Sequence, residues 1–421
     1  MLSSEKSWRR WVMASEWPTA TIGDVAKIKH GFAFKSEFFT DEVTPNVLVT
    51  PGNFAIGGGF QVGKPKYYSG PLPDDYVLSE GAVVVTMTDL SKASDTLGYA
   101  AKVPATPGVT YCHNQRIGLL QVKDEQRVSK SWLHYLMRTY EYRAWIVGSA
   151  SGTTVKHTAP SRIESFAFRL PPLEEQVAVA ETLDALDDRI ANLRQTNATL
   201  QAIAAALFKS WFVDFDGLPP EDMQESELGL IPKGWRVGML GECCENIRKQ
   251  ARPDALPTGT RYIGLEHMPR KSIVLAEWGV SDGLASGKFW YQCNDILFGK
   301  LRPYFHKVGV ASHEGVCSTD ILVVRAKPHW FGFAAMHLFS DTMISYATQF
   351  SNGAKMPRTN WSDIAGYKVA LPPLKVTAEF DGLVRPLVEK LHANVEAAAT
   401  LAQLRDALLP RLISGQLRVS Q

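Results

Sequence analysis

The chain has 421 residues, 45% of them hydrophobic and 21% charged, with a formal net charge of +2. These totals suit two or three ordinary globular domains with real cores, and they exclude a disordered, strongly charged chain. The longest apolar runs are too short to span a bilayer, and five cysteines with no CxxC pair argue against a disulfide framework or a structural zinc site, so a reducing cytoplasm is expected.

Residues 1–16 form an N-terminal extension. Arg9 and Arg10 are not followed by an apolar core, so this is no secretory signal. Met13 would make a natural start, which leaves an over-extended gene start or a genuine basic arm as alternatives. Residues 17–170 read as a first mixed α/β block. Ala82–Val85 and Ile117–Val122 are short, apolar and β-branched, as strands are, and Ser131–Trp145 has helical apolar spacing. Gly57–Gly59 and Pro71–Pro73 mark loops. Asp89, Lys92 and Asp95 lie close together without nuclease spacing and read as a solvated loop.

Over 171–216 the period changes. Leu183, Leu186, Ile190, Leu193, Asn197, Leu200, Ala204, Leu207 and Trp211 follow steps of three and four, a heptad seam with no Gly or Pro from 173 to 216. Glu174 and Glu175 favour its helix start electrostatically. Residues 217–232 are Pro- and acid-rich and read as a linker. A second block follows over 233–371, with strands at Asp295–Phe298 and Ile321–Val324 and a helix at His329–Ala347. Residues 372–416 carry a second, weaker seam: Val384, Leu387, Leu391, Asn394, Ala398, Leu401, Arg405, Leu408 and Leu412. Pro386 is expected to begin its main helix rather than sit inside one.

The second half repeats the first. Leu170-Pro171-Pro172-Leu173 recurs as Leu371-Pro372-Pro373-Leu374, an offset of 201. At the same offset Gly152 meets Gly353, Thr158 meets Thr359 and Ile163 meets Ile364. Upstream, Trp17 with Ile22-Gly23-Asp24 matches Trp235 with Leu240-Gly241-Glu242. A helix of roughly 40 residues is about 60 Å long, more than a compact domain needs. Each helix could simply pack on its own block. The reading taken is that the two seams pair as an antiparallel coiled coil, with Asn197 and Asn394 fixing the register. The expected fold is thus α+β: two mixed α/β domains separated by two long paired helices, with an internal pseudo-twofold repeat.

Catalytic motifs are hard to find. There is no P-loop, no GxGxxG opening a helix, no glycine-rich methyl-donor loop, no HExxH and no DPPY-like segment. His306 and His313 are isolated and read as surface or hydrogen-bonded residues.

The layout resembles the specificity subunit of type I restriction–modification systems, over nearly the whole chain. Trp17-Pro18 with Ile22-Gly23-Asp24-Val25 is similar to the opening of a recognition domain in that family. Leu207 to Phe215 (LFKSWFVDF) is similar to its central segment, Asp295 to Tyr304 (DILFGKLRPY) to a strand and loop of its second domain, and Leu408 to Gly415 (LLPRLISG) to its closing helix end. The resemblance implies that each domain reads one half of a split double-stranded DNA target while the helices fix the unread gap. It implies partners too: modification subunits that use S-adenosylmethionine to methylate adenine, and motor-nuclease subunits that use ATP. The chain itself would be non-catalytic and hold none of these cofactors, nor magnesium, nor contact a membrane.

Candidate DNA contacts are basic, amide and aromatic residues near the repeated glycine: Thr153, Thr154, Lys156 and His157 in the first domain, and Lys355, Arg358 and Asn360 in the second. Lys300, Arg302 and Tyr304 form a further cluster. Arg suits guanine, Asn suits adenine and Lys mainly holds phosphate; the plainer alternative for each is a solvated charge. Phe208, Trp211, Phe212 and Phe215 make an aromatic helix end that serves either core packing or docking of a modification subunit. Three other functions stay open: a recognition subunit of a different methyltransferase–nuclease class, a coiled-coil scaffold that binds no DNA, or an enzyme with unfamiliar motifs.

Overall fold

The computed structural model describes residues 17–89, 91, 94–152, 155–353 and 355–419. Thr153, Thr154, Lys92 and the 1–16 extension lie outside them. The chain divides into two compact units, residues 1–188 with 402–421, and residues 189–401. The two long helices, Leu173–Lys209 and Leu374–Ile413, each pass from one unit into the other.

The first unit carries a four-stranded antiparallel sheet in the order Ala26–His30, Ile117–Val122, Val83–Thr86, Ala100–Lys102. A second four-stranded sheet holds Phe39–Thr40, Tyr67–Tyr68, Asn46–Val49 and Thr110–His113, the last two parallel. Strand Thr19–Thr21 pairs with Ala167–Arg169 just ahead of the first long helix. The second unit repeats the plan. Cys244–Asn246, Ile321–Ala326, Ile296–Gly299 and Val308–Val310 form its central sheet, and Arg236–Met239 pairs with Lys368–Leu371. The registers match: Ala20 lies opposite Phe168, and Gly238 opposite Val369.

Each predicted block helix is in fact two. Lys130–Leu136 and Tyr140–Gly148 replace one, Phe331–Phe339 and Asp341–Gln349 the other. The cause is capping. Thr139 and Ser340 take extended backbone, and their hydroxyls accept from the N–H groups of Tyr142 (3.4 Å) and Met343 (3.1 Å), which starts a new helix at each. The expected linker is also structured: Met223–Ser226 and Gly229–Pro232 form an antiparallel hairpin, and Glu227 pairs with Lys368. Its acidic composition looked like a linker because composition does not report the pairing of residues three to nine positions apart.

Pro386 does not begin a helix; it stands inside the unbroken Leu374–Ile413. A proline there removes one intrahelical bond. Phe380, Val384 and Val388 on either side are buried in the core of the second unit, so packing holds the helix across the gap.

Within each unit the two helical segments run antiparallel. In the second, the Asn394 amide donates to Asn197 Oδ1 (2.9 Å), the Asn197 amide donates to the Leu391 carbonyl (3.2 Å), and Trp211 lies against Phe380. Amides that find partners across the seam in this way tolerate burial only in this register. In the first unit Leu183 packs with Leu409 and Leu412, and Asp187 accepts from Arg405 (2.6 Å). That ion pair explains how a charged residue, Arg405, occupies an apolar seam. Among the described residues, no helix is long and apolar enough to cross a membrane.

Candidate nucleic-acid interface

The repeated glycine turns out to organise the same loop twice. In the first unit Ser151 and His157 exchange two backbone hydrogen bonds (3.0 and 2.9 Å), closing a loop around Gly152. In the second, Asn352 and Arg358 do the same (2.9 and 2.9 Å) around Gly353. Gly152 has φ +93° and Gly353 φ +107°, a region that L side chains rarely adopt. The next residue ties each loop to the segment that leaves an interior strand of the central sheet: the Thr158 N–H donates to the Met87 carbonyl (3.0 Å), the Thr359 N–H to that of Lys300 (3.1 Å). One scaffold thus recurs with different side chains, Lys156 and His157 in one copy, Lys355 and Arg358 in the other.

A Cβ on Gly152 would lie 2.1 Å from the Val155 carbonyl oxygen. Gly152→Ala is therefore expected to distort this loop at a local cost of about 1–3 kcal/mol. DNA binding measured on duplexes mutated in one half of the target should show recognition weakened in a single half, with the thermal midpoint lowered by several degrees at most.

In the second unit the two clusters expected separately form one surface. The Arg302 N–H donates to the Pro357 carbonyl (2.7 Å), Leu301 bridges to Arg358, and the Arg302 guanidinium reaches the Lys355 carbonyl (3.4 Å). Arg302 (φ 51°) and His306 (φ 49°) are left-handed residues flanking a turn at Pro303–Phe305. Such backbone persists only where its surroundings enforce it. Here His306 is buried, its Nε2 donating to the Phe339 carbonyl (2.8 Å), and burial lowers its pKa. The turn holds Tyr304 half exposed.

The side chains differ in how free they are. Arg358 is engaged: its Nε donates to Asp320 (3.0 Å), and that hydrogen bond, with the charge of Asp320, raises its pKa. That ion pair braces the loop while leaving the Arg358 side chain partly exposed. Arg302 Nε, by contrast, is buried without a hydrogen-bond partner. Asn360 is exposed at the head of the helix Trp361–Ala365, its N–H donating to Asp363 (3.2 Å). Arg270 joins the surface although sequence reasoning passed over it; its guanidinium lies 4.1 Å from the Phe305 ring centre. The adjacent cations Arg270-Lys271 were the signal that could have found it.

The corresponding segment of the first unit, after Val83–Thr86, is built otherwise. Lys156 and His157 pair with Asp89 and Thr88, and His157 Nδ1 lies 3.2 Å from the Thr88 hydroxyl. Asp89 is buried, not solvated. It accepts from the N–H groups of Ser91 (2.6 Å), Thr96 (2.6 Å) and Leu97 (2.9 Å) and from the Thr96 hydroxyl (2.9 Å). Burial alone would raise its pKa, but these donors outweigh it and hold the carboxyl below its ordinary value. Asp89 shapes the loop, and Arg143 supports it from below by donating to the Ser94 and Leu97 carbonyls.

Of the aromatic helix end, Phe208 and Phe212 take the packing role. Both are buried, with Phe212 against Phe333 (5.0 Å) and Phe380 (4.7 Å) and Phe208 against His337 (4.7 Å). They present no docking face, because the core of the second unit covers them. Trp211 and Phe215 instead line an open cleft.

The family model of the type I restriction modification DNA specificity domain matches residues 14–202. The specificity subunit of the type I restriction enzyme HindI of Haemophilus influenzae is 45% identical over 347 residues, spanning 66% of this chain and 75% of that protein. The EcoBI specificity subunit of Escherichia coli is 28% identical over 436 residues, spanning 95% and 86%. The fold is similar to the crystal structure of a type I restriction–modification S subunit from M. genitalium, with a TM-score of 0.56 at 16% identity, over 94% of this chain and 96% of that one.

Proposed function

The chain belongs to the family of type I restriction enzyme specificity subunits, and we propose that each of its two units reads one half of a two-part double-stranded DNA target. The observation that carries the reading is the glycine-centred loop repeated in both units on one scaffold with different side chains. A shared scaffold sets how a domain meets the duplex, and the side chains it carries set which bases it accepts. In the second unit Lys300, Arg302, Tyr304, Lys355, Arg358 and Asn360 face the DNA, with Arg302 the best candidate for bidentate reading of guanine. In the first, Lys156 and His157 do so, and Thr153 and Thr154 are assigned DNA contact from their place in the sequence alone.

The long helices fix the separation of the two half-sites. The subunit is non-catalytic and works in the cytoplasm. Modification subunits carry S-adenosylmethionine and methylate adenine in the target. Motor-nuclease subunits carry ATP and magnesium and cut unmodified DNA.

Arg358→Ala tests the division of labour. The substitution frees Asp320 beside the loop and is expected to weaken binding to one half-site only, read by titrating the assembled complex with duplexes carrying either half intact. Equal loss at both halves, or none, contradicts the reading. A chain that only scaffolds proteins would show no salt-dependent DNA affinity when assembled.

A further inference from the structure

In the first unit the tryptophan that opens the domain already has a cation on it. The Arg418 guanidinium lies 5.7 Å from the Trp17 ring centre, and its Nε is 3.5 Å from a Glu175 carboxylate oxygen. Aromatic face and carboxylate together hold one arginine.

Trp235 occupies the same place in the second unit, by the strand registers that equate Ala20 with Gly238 and Phe168 with Val369. Counting back 201 residues from Arg418 along the repeat gives Gly217, which has no side chain to offer. Among the described residues no cation is stacked on the Trp235 ring as Arg418 is on Trp17. Instead Trp235 lines an open cleft of about 490 Å³ with Trp211 and Phe215. The Phe215 and Trp235 rings meet edge to face at 5.5 Å. Asp216, Asp222 and Glu379 stand on the cleft walls, against a single lining cation, Lys233. All three carboxylates are exposed.

We propose that this cleft receives an arginine side chain from a partner protein, the modification subunit, supplying in trans what Arg418 supplies within the first unit. This rests on the function proposed above and deepens it by naming the chemistry of one contact. Three carboxylates repel phosphate, so DNA is the wrong occupant. The aromatic floor gives a guanidinium a stacking face, and the carboxylates accept its N–H groups. Phe208 and Phe212, buried beneath, make the floor rigid.

The test uses the full chain and its co-expressed modification subunit. The double variant Asp222→Lys and Glu379→Lys changes two exposed side chains, and an unchanged thermal melt verifies that the fold is intact. Assembly of the two subunits is measured by calorimetry over a range of salt concentrations. The expected result is an assembly constant weakened at least about tenfold, with a flatter salt dependence than the wild type, and an intermediate loss for Asp222→Asn with Glu379→Gln. Assembly as tight as wild type, with the same salt dependence, overturns the cleft assignment while leaving the DNA-reading function standing. A wild-type chain that assembles with no modification subunit overturns that function, and this inference with it.

Discussion

Asp187→Ala is expected to destabilise the first unit by about 3–5 kcal/mol, the cost of leaving a buried charge without its partner. Asp187 sits on the first long helix and accepts from Arg138 (2.7 Å) and Arg405 (2.6 Å), and from the Tyr135 hydroxyl (3.1 Å). The Arg138 side chain is 1% exposed, so the alanine variant strands a guanidinium that water cannot reach. Arg405 comes from the second long helix, so the same change loosens the helix pairing in this unit. Burial pushes the Asp187 carboxyl up, but the Arg138 charge and the two arginine hydrogen bonds overcome it and pull the pKa down to about 2. The sign follows: a carboxyl depressed in the folded state stabilises at pH values above its unfolded pKa, near 4, and that contribution disappears as pH falls from about 4 towards about 2. Chemical denaturation across that range should show wild type losing stability faster than Asp187→Ala, so that the gap between them narrows on acidification. Equal stability of the two proteins at neutral pH would contradict the assignment.

Arg302→Ala is expected to abolish discrimination at one base pair in one half of the target. Its guanidinium makes one long hydrogen bond, to the Lys355 carbonyl, and its Nε is buried without a partner. The backbone around it is held left-handed by the Pro357 carbonyl and by buried His306. Arg302 is only partly buried, and with its Nε enclosed any base contact falls to its terminal nitrogens. Loss of one bidentate base contact costs about 1–3 kcal/mol, roughly ten- to a hundredfold in affinity. Binding to duplexes with single-base changes is the check. In the variant, one base pair of one half should stop mattering, while every change in the other half keeps its cost. Arg302→Lys should not restore it, because a point charge cannot replace the planar fork.

Much of this architecture was legible because it was written twice. The LPPL repeat located both long helices, and the heptad spacing found the seam residues, including the Asn197–Asn394 pair that bond to each other. Gly152 and Gly353 announced the loops, since a residue required at positive φ survives in both copies. What local pattern could not report were partners distant in sequence. Arg358 looked like a free reader until Asp320, 38 residues away, was seen beside it. Asp89 looked solvated because its four donors are supplied by its own loop's fold. The aromatic run at 208–215 split into two buried rings and two cleft-lining ones, a division set by the packing of Phe333 and Phe380 rather than by helical spacing. The paired block helices were readable in hindsight: Thr139 and Ser340 are cap residues in mid-pattern.

The measurement that bears most directly on the central claim is a single-molecule methylome of the source strain with and without this gene. Loss of one adenine-methylated motif, two-part and with a fixed gap, is the predicted result, and it would give the target sequence at the same time. An unchanged methylome, with the partner modification gene expressed in both strains, would contradict the account.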